Sequence, residues 1–234
     1  MTLQPNIRVW RYMSFAKFVS ILQRKRLWLS SAELLDDKWE VMLDSSQLNY
    51  IINKRPSSLT AEAALEQIAK IVKVHRKQTF INCWTASEHE SHALWRLFCP
   101  SPEGVAIQTT FDRLKKSVPV PVLEVTYGTH ETDDMTPDVS KLVTQKRPMF
   151  AYEQEVRIVL EHDYSDLGPP ERKMIGTELD WDPELHIENI WMHPEAPFWF
   201  AETVTEIVRR LAPKLCDGGI PRVWYSKMSS PPPF

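Results

Sequence analysis

The chain has 234 residues, of which 43% are apolar and 25% charged, with a formal net charge of −3; this is the composition of an ordinary globular protein with room for one substantial core, and it excludes a disordered or fibrous chain. Nothing in that charge points to nucleic acid, and the three cysteines, Cys83, Cys99 and Cys216, are too few and too scattered for a disulfide framework or a zinc ribbon. Met1 to Ile7 lacks the basic and apolar regions of a signal peptide, and no uncharged apolar run reaches the length of a bilayer span, so the expectation is a cytoplasmic protein with no membrane partner.

Ile7 to Tyr12 reads as a first strand, with Ile7, Val9 and Arg11 on one face and Arg8, Trp10 and Tyr12 on the other. A guanidinium on an apolar face needs an anionic partner, either a carboxylate of the protein or a ligand phosphate. Ser14 then caps a helix through Gln23 with Phe15, Phe18, Val19 and Leu22 as its core stripe, and Arg24-Lys25-Arg26 closes it as a solvated cap. Leu27-Trp28-Leu29 is a second short strand, and Ser30-Ser31-Ala32-Glu33 is a capping-box pattern. The acids of Asp36-Asp37-Lys38-Trp39-Glu40 fit a turn and a helix N-terminus better than a metal site, with the helix running on to Ile52. Thr60 caps the next helix, which carries Leu65, Ile68, Ala69 and Val72 on one side and Lys70, Lys73, Arg76 and Lys77 on its polar side and end. That basic side is solvated surface or a docking face for an acidic partner or nucleic acid.

Thr79 to Thr85 reads as a central strand, and Ser87-Glu88-His89-Glu90 as the start of a helix containing Leu94, Trp95, Leu97 and Phe98. His89 and His92 lack further ligands at a recognised spacing and read as surface histidines. Gly104 to Thr109 and Val120 to Tyr127 are strands, Thr110 caps a helix through Ser117, and Gly128 to Val139 is an acidic surface loop. In Tyr152 to Glu161, period two sends Tyr152, Val156, Ile158 and Leu160 one way and Glu153, Glu155, Arg157 and Glu161 the other, with the first two carboxylates roughly 6.6 Å apart along the strand. Such a face is either exposed and self-neutralising through Glu155 and Arg157, or the edge of an active site that a strand holds rigid. Met174 to Leu179, Ile187 to His193 and Arg222 to Tyr225 complete the strands, and a helix from Phe198 to Lys214 stops at Gly218-Gly219. Strands outnumber helices without regular alternation, so the expected fold is one α+β domain over residues 1–228, a mixed, mostly antiparallel sheet with packed helices, followed by an unpacked Pro-rich tail over residues 229–234.

As a set, Trp10-Arg11-Tyr12 with Phe15 and Ile21-Leu22, Leu27-Trp28-Leu29-Ser30-Ser31, Cys83-Trp84 before Leu94-Trp95, Gly104-Val105-Ala106-Ile107, Tyr152-Glu153-Gln154-Glu155-Val156-Arg157 and Ile190 with His193-Pro194 resemble the bacterial family known as domain of unknown function 2971. Asp36 and Lys38 depart from that family's usual Asn-Asp-Pro turn. A more distant similarity is to the mono-ADP-ribosyltransferase fold, on Arg11 of the first strand, a degenerate Cys83-Trp84-Thr85 to Ser87 segment and the Glu153-Gln154-Glu155 strand, in that order. The resemblance implies NAD as substrate: Arg11 holds a cofactor phosphate with Tyr12 beside it in the cofactor site, and Thr85 or Ser87 orients the catalytic acid. It also implies that Glu155 stabilises the cationic sugar as nicotinamide leaves and that Glu153 activates an acceptor, protein or nucleic acid.

Three readings follow. The first is an NAD-consuming transferase or glycohydrolase acting as a toxin or phage-defence effector. The second is a non-catalytic binding or regulatory module of the same fold, in which Arg11 and Glu155 form a structural salt bridge. The third is a metal-dependent nuclease using Asp37, Glu40, Glu153 and Glu155, disfavoured because no lysine follows the acids at the usual spacing.

Overall fold

The structure, a computed structural model, describes residues 3–37, 39–43, 45–128, 139–162 and 174–229. Its elements run β1 (Arg8–Ser14), α1 (Phe15–Arg24), β2 (Arg26–Ser31), α2 (Ser45–Lys54), α3 (Ala61–Gln78), β3 (Thr79–Ala86), α4 (His92–Phe98), β4 (Gly104–Thr110) and α5 (Phe111–Lys116). There follow β5 (Val122–Glu124), β6 (Thr126–Tyr127), α6 (Val139–Leu142), β7 (Gln145–Lys146), β8 (Glu155–Glu161), β9 (Gly176–Asp180), α7 (Pro183–His186), β10 (Asn189–Met192), α8 (Phe198–Leu211), β11 (Cys216–Asp217), β12 (Ile220–Pro221) and β13 (Val223–Tyr225). The class is the expected one: a single α+β domain whose mixed sheet is antiparallel at β1–β3, β1–β4, β4–β10 and β2–β3 and parallel at β10–β13. Contacts within it gather into two compact units.

The first unit comprises Met1–Leu27, Cys83–Val122 and Glu178–Phe234. β1 is its centre, because its alternation puts bulk on both faces: Val9 and Met13 are buried on one, Trp10 and Tyr12 on the other. It pairs with β4 along its whole length, Arg8 opposite Thr110 and Ser14 opposite Gly104, and β4 in turn pairs with β10. Against Trp10 and Tyr12 pack Leu94, Trp95 and Cys99, with the Tyr12 and Trp95 rings edge to face at 4.9 Å. Gly104 is needed there, since a Cβ would lie 2.6 Å from Cys99 Cβ. α1 and α8 pack together through the edge-to-face rings of Phe15 and Phe200.

The second unit comprises Trp28–Asn82 and Leu123–Thr177. Ser30 and Ser31 of β2 stand opposite Ile81 and Phe80 of β3. β8 is internal, as its pattern implied, with β5 on one side and β3 on the other. Val156, Arg157, Ile158 and Val159 are all buried, so both of its faces are covered.

Several local readings are corrected. Ser14 stands at the N-cap of α1 but its side chain makes no capping bond, whereas Thr60 and Thr110 cap as expected, accepting from the Ala63 and Arg113 amides. Residues 39–41, expected in a helix, form a turn, and α2 spans Ser45–Lys54. Ser87 Oγ accepts from the His89 amide in a tight turn, and Ser91, not Ser87, caps α4. Arg24, Lys25 and Arg26 are not merely solvated but pair with Glu178, Asp180, Asp182 and Glu184, in ion pairs whose cations are solvent-screened. α8 stops at Leu211 ahead of Pro213, and Gly218 and Gly219, at φ 59° and 85°, form the two-residue hairpin turn between β11 and β12. On the apolar side of α3, Val72 is buried and Leu65 is 39% exposed. Residues 129–138 of the expected acidic loop and residues 230–234 of the expected tail lie outside the described residues, while Ser229 is held by its hydroxyl on the Pro194 carbonyl.

Candidate functional site

The carboxylates that the sequence singles out are brought together by a different local structure from the one expected. Pro148–Glu153 is a 3-10 helix, Gln154 is left-handed at φ 44°, and β8 begins only at Glu155. Glu153 is therefore not on the strand. The left-handed residue turns the chain so that both carboxylates reach one ammonium: Lys146 Nζ lies 2.6 Å from Glu153 Oε2 and 3.3 Å from Glu155 Oε2. It is also 3.3 Å from Glu40 Oε1 and 4.8 Å from the centre of the Phe150 ring.

Arg157 completes the cluster. Its Nε donates to Glu155 Oε1 at 3.0 Å and its Nη2 to Glu155 Oε2 at 2.9 Å, a bidentate fork, while Nη2 also donates to Glu40 Oε2 and Nη1 to the Val143 carbonyl at 2.7 Å. The guanidinium is wholly buried. Thus Glu155 and Arg157 do neutralise each other, but inside the protein rather than on an exposed face. The Tyr127 hydroxyl accepts from the Glu155 amide at 2.7 Å, and burial, with the Glu155 and Glu153 carboxylates, pushes its pKa up.

Three carboxylates, Glu40, Glu153 and Glu155, face two cations, Lys146 and Arg157, so the cluster carries a formal surplus of one negative charge. The surplus shows in Glu153, whose carboxyl is pushed above its ordinary value by burial, with Glu155 and Glu40 adding to it against the pull of Lys146. Burial works against the Lys146 ammonium, but the three glutamates outweigh it and raise its pKa. Among the described residues, two of the three non-glycine residues with positive φ adjoin these acids, Gln154 between Glu153 and Glu155, and Val41, at 56°, directly after Glu40. A buried β-branched residue in that region is strained by about 1–3 kcal/mol, strain of the kind that gathers at functional sites.

Next to the cluster, Arg147 forks onto Asp37 with bonds of 3.0 and 2.8 Å, and the Trp39 amide donates to the same carboxylate. Burial opposes ionisation of Asp37, but these donors outweigh it and hold the carboxyl below its usual range. All four acids of the nuclease reading are therefore engaged by cations of the chain, with the Lys146 ammonium at the point where the three glutamates converge. Among the described residues no three His, Cys, Asp or Glu side chains are arranged to hold a metal. Sequence reasoning names Glu40 beside Glu153 and Glu155 only as a candidate metal ligand, and it misses Lys146 and Tyr127; Tyr127 comes from a segment distant in the chain, and the local signal for Lys146 is the Lys146-Arg147 pair just ahead of the acids.

The predicted cofactor residues lie in the first unit. Arg11 Nη1 donates to the Cys83 carbonyl at 2.6 Å, and Nε is buried with no hydrogen-bond partner among the described residues. Burial holds the guanidinium below its ordinary pKa, opposed by Cys83, and among the described residues no carboxylate pairs with it. The other three do not join Arg11. Because Trp10 stands opposite Thr85, Thr85 shares a face with Trp10 and Tyr12, opposite to that of Arg11. The Tyr12 hydroxyl is taken by the Ser91 amide, and Ser87 is engaged through its carbonyl by Trp10 Nε1 and through its amide by the Arg8 carbonyl. His89 and His92 are exposed, as expected.

No protein-family model and no curated protein matches the chain. Among solved structures it is similar to Thermus sp. 2.9 DarT in complex with ADP-ribosylated ssDNA, at 12% identity over 97% of each chain with a TM-score of 0.44. The same protein in complex with NAD+ is similar at 14% identity over 97% of this chain and 98% of that one, TM-score 0.42. In complex with carba-NAD+ the values are 13%, 97%, 98% and 0.41. No helix of the described residues is long and apolar enough to cross a membrane.

Proposed function

We propose that the chain is an NAD-consuming enzyme of the ADP-ribosyl-transfer type, in which Arg11 binds the pyrophosphate and Glu155 and Glu153 serve the reacting sugar. The observation that carries this reading is the partnerless Nε of Arg11. A buried guanidinium bonded only to a carbonyl lacks the anion that its charge requires, and a diphosphate supplies it with charge-assisted bonds. The carboxylate cluster supports the other half of the reaction. As the C–N glycosidic bond breaks, its electron pair leaves with the nicotinamide nitrogen and positive charge develops on the sugar, which a fixed carboxylate in a net negative environment stabilises. Glu155, clamped by Arg157, has the fixed geometry for that role. Glu153, more exposed and with a raised pKa, takes the proton of the acceptor as it attacks the anomeric carbon. Tyr12 and Thr85 have no part in this reading.

One observation favours a second reading, a non-catalytic module: all three Arg157 nitrogens and both Glu155 oxygens are satisfied internally. Binding separates the two. NAD at about 100 times its dissociation constant stabilises by roughly 2.7 kcal/mol, a melting rise of about 5–11 °C for a chain of this size. Arg11→Met should abolish that rise while leaving the ligand-free melting temperature unchanged or higher, since it removes an unsatisfied buried group. A wild-type protein with no NAD-dependent rise, or a variant that keeps it, would overturn the transferase reading.

A further inference from the structure

Within the second unit, α2 and α3 leave between them a half-open groove of about 420 Å³. Its walls are apolar, with Met42, Leu48, Leu65, Ile68, Ala69 and Val72, and Met42 and Leu65 remain 40% and 39% exposed. The volume falls in the range of small-molecule sites, and the apolar rungs from Leu65 to Val72 extend roughly 10 Å along the helix. One end of this run is charged. Lys73, the residue after Val72, and Arg76, one turn beyond it, line the groove with Glu33 as the sole carboxylate in the lining, so that end carries a formal charge of +1. Arg76 spends one Nη2 bond, 3.2 Å, on the Ala32 carbonyl, and neither Lys73 nor Arg76 has an ion-pair partner among the described residues. An apolar trough that ends in unpaired cations matches an unbranched apolar chain with an anionic terminus.

We propose that this groove binds a soluble single-chain anionic amphiphile, its hydrocarbon chain along Leu65, Ile68 and Val72 and its acidic head at Lys73 and Arg76. The reading is independent of the NAD site. Decanoate, titrated calorimetrically into the full chain, is expected to bind saturably at one site. Octanoate should bind about 15-fold more weakly, because each methylene is worth about fourfold in affinity, and decylammonium, of the same length but opposite charge, at least about tenfold more weakly. Ala69→Trp, at an exposed helical position that faces the groove, should abolish binding with little change in the melting curve, and Lys73→Glu should weaken it about tenfold. The proposal is overturned by the absence of saturable decanoate binding, by equal affinity for decylammonium, by unchanged binding in a folded Ala69→Trp protein, or by binding to anionic phospholipid vesicles without binding to decanoate.

Discussion

Glu153 has a raised carboxyl pKa because burial, together with the neighbouring Glu155 and Glu40 carboxylates, opposes its charge more than Lys146 favours it. A group whose folded pKa lies above its unfolded one stabilises the fold below the unfolded pKa and loses that contribution as pH rises through the folded one. Glu153→Gln is therefore expected to raise the melting temperature near pH 8 by about 2–4 °C, the effect of about 1 kcal/mol at this size, with the gain shrinking as pH falls through the raised folded pKa and gone below about pH 4, where Glu153 is protonated folded or unfolded. Thermal melts across that range check it, and a lower melting temperature at pH 8 would show that the Lys146 bond outweighs the surplus charge. Arg157→Met leaves three glutamates facing one cation and should destabilise by about 3–5 kcal/mol, read from denaturant unfolding. At this scale the sequence shows which acids matter but not what surrounds them. Arg11 is legible because an arginine between Val9 and Met13 violates the apolar pattern. The cluster around Glu155 is legible in its acids, Glu40 included, but not in its bonds to Tyr127 and Lys146, which form only through tertiary folding.

Elements with local signals are the ones that sequence reading places well. The hydroxyls of Thr60 and Thr110 satisfy amides within the next turn, so α3 and α5 begin where expected. β8 is internal because Val156, Ile158 and Val159 cover both of its faces around Arg157, and Ile158→Ala should cost about 2–5 kcal/mol. Ile175→Ala, at a position 58% exposed, should change stability by no more than about 0.5 kcal/mol. Equal losses in unfolding experiments would contradict the internal placement. Readings fail where a longer-range bond overrides a local pattern. Ser87 has the residues of a capping box, but Trp10 Nε1 holds its carbonyl and the Arg8 carbonyl holds its amide, so the helix waits for Ser91. Gln154 lies within an alternating run, yet its left-handed backbone ends the pattern and turns Glu153 out of the strand.

Over the whole chain, composition and element order are enough for the α+β class and the mostly antiparallel sheet, since a chain with few glycines and many apolar residues must bury its strands. Of the nine tryptophans, Trp10, Trp84, Trp95 and Trp181 are at least nine-tenths buried and serve the core, whereas Trp28, Trp39, Trp199 and Trp224 are exposed. What composition does not reveal is the buried Arg11 without a carboxylate partner among the described residues, or the buried cluster with one carboxylate too many, on which the proposed chemistry rests. The most direct test is nicotinamide release from NAD by wild type and Glu155→Gln, run well below both melting temperatures. Wild type should release nicotinamide, and the variant, still folded because Arg157 keeps Glu40 and Lys146 keeps Glu153, should be slower by about 10² to 10³. A folded wild type that releases none, or a variant as fast as wild type, would contradict the account.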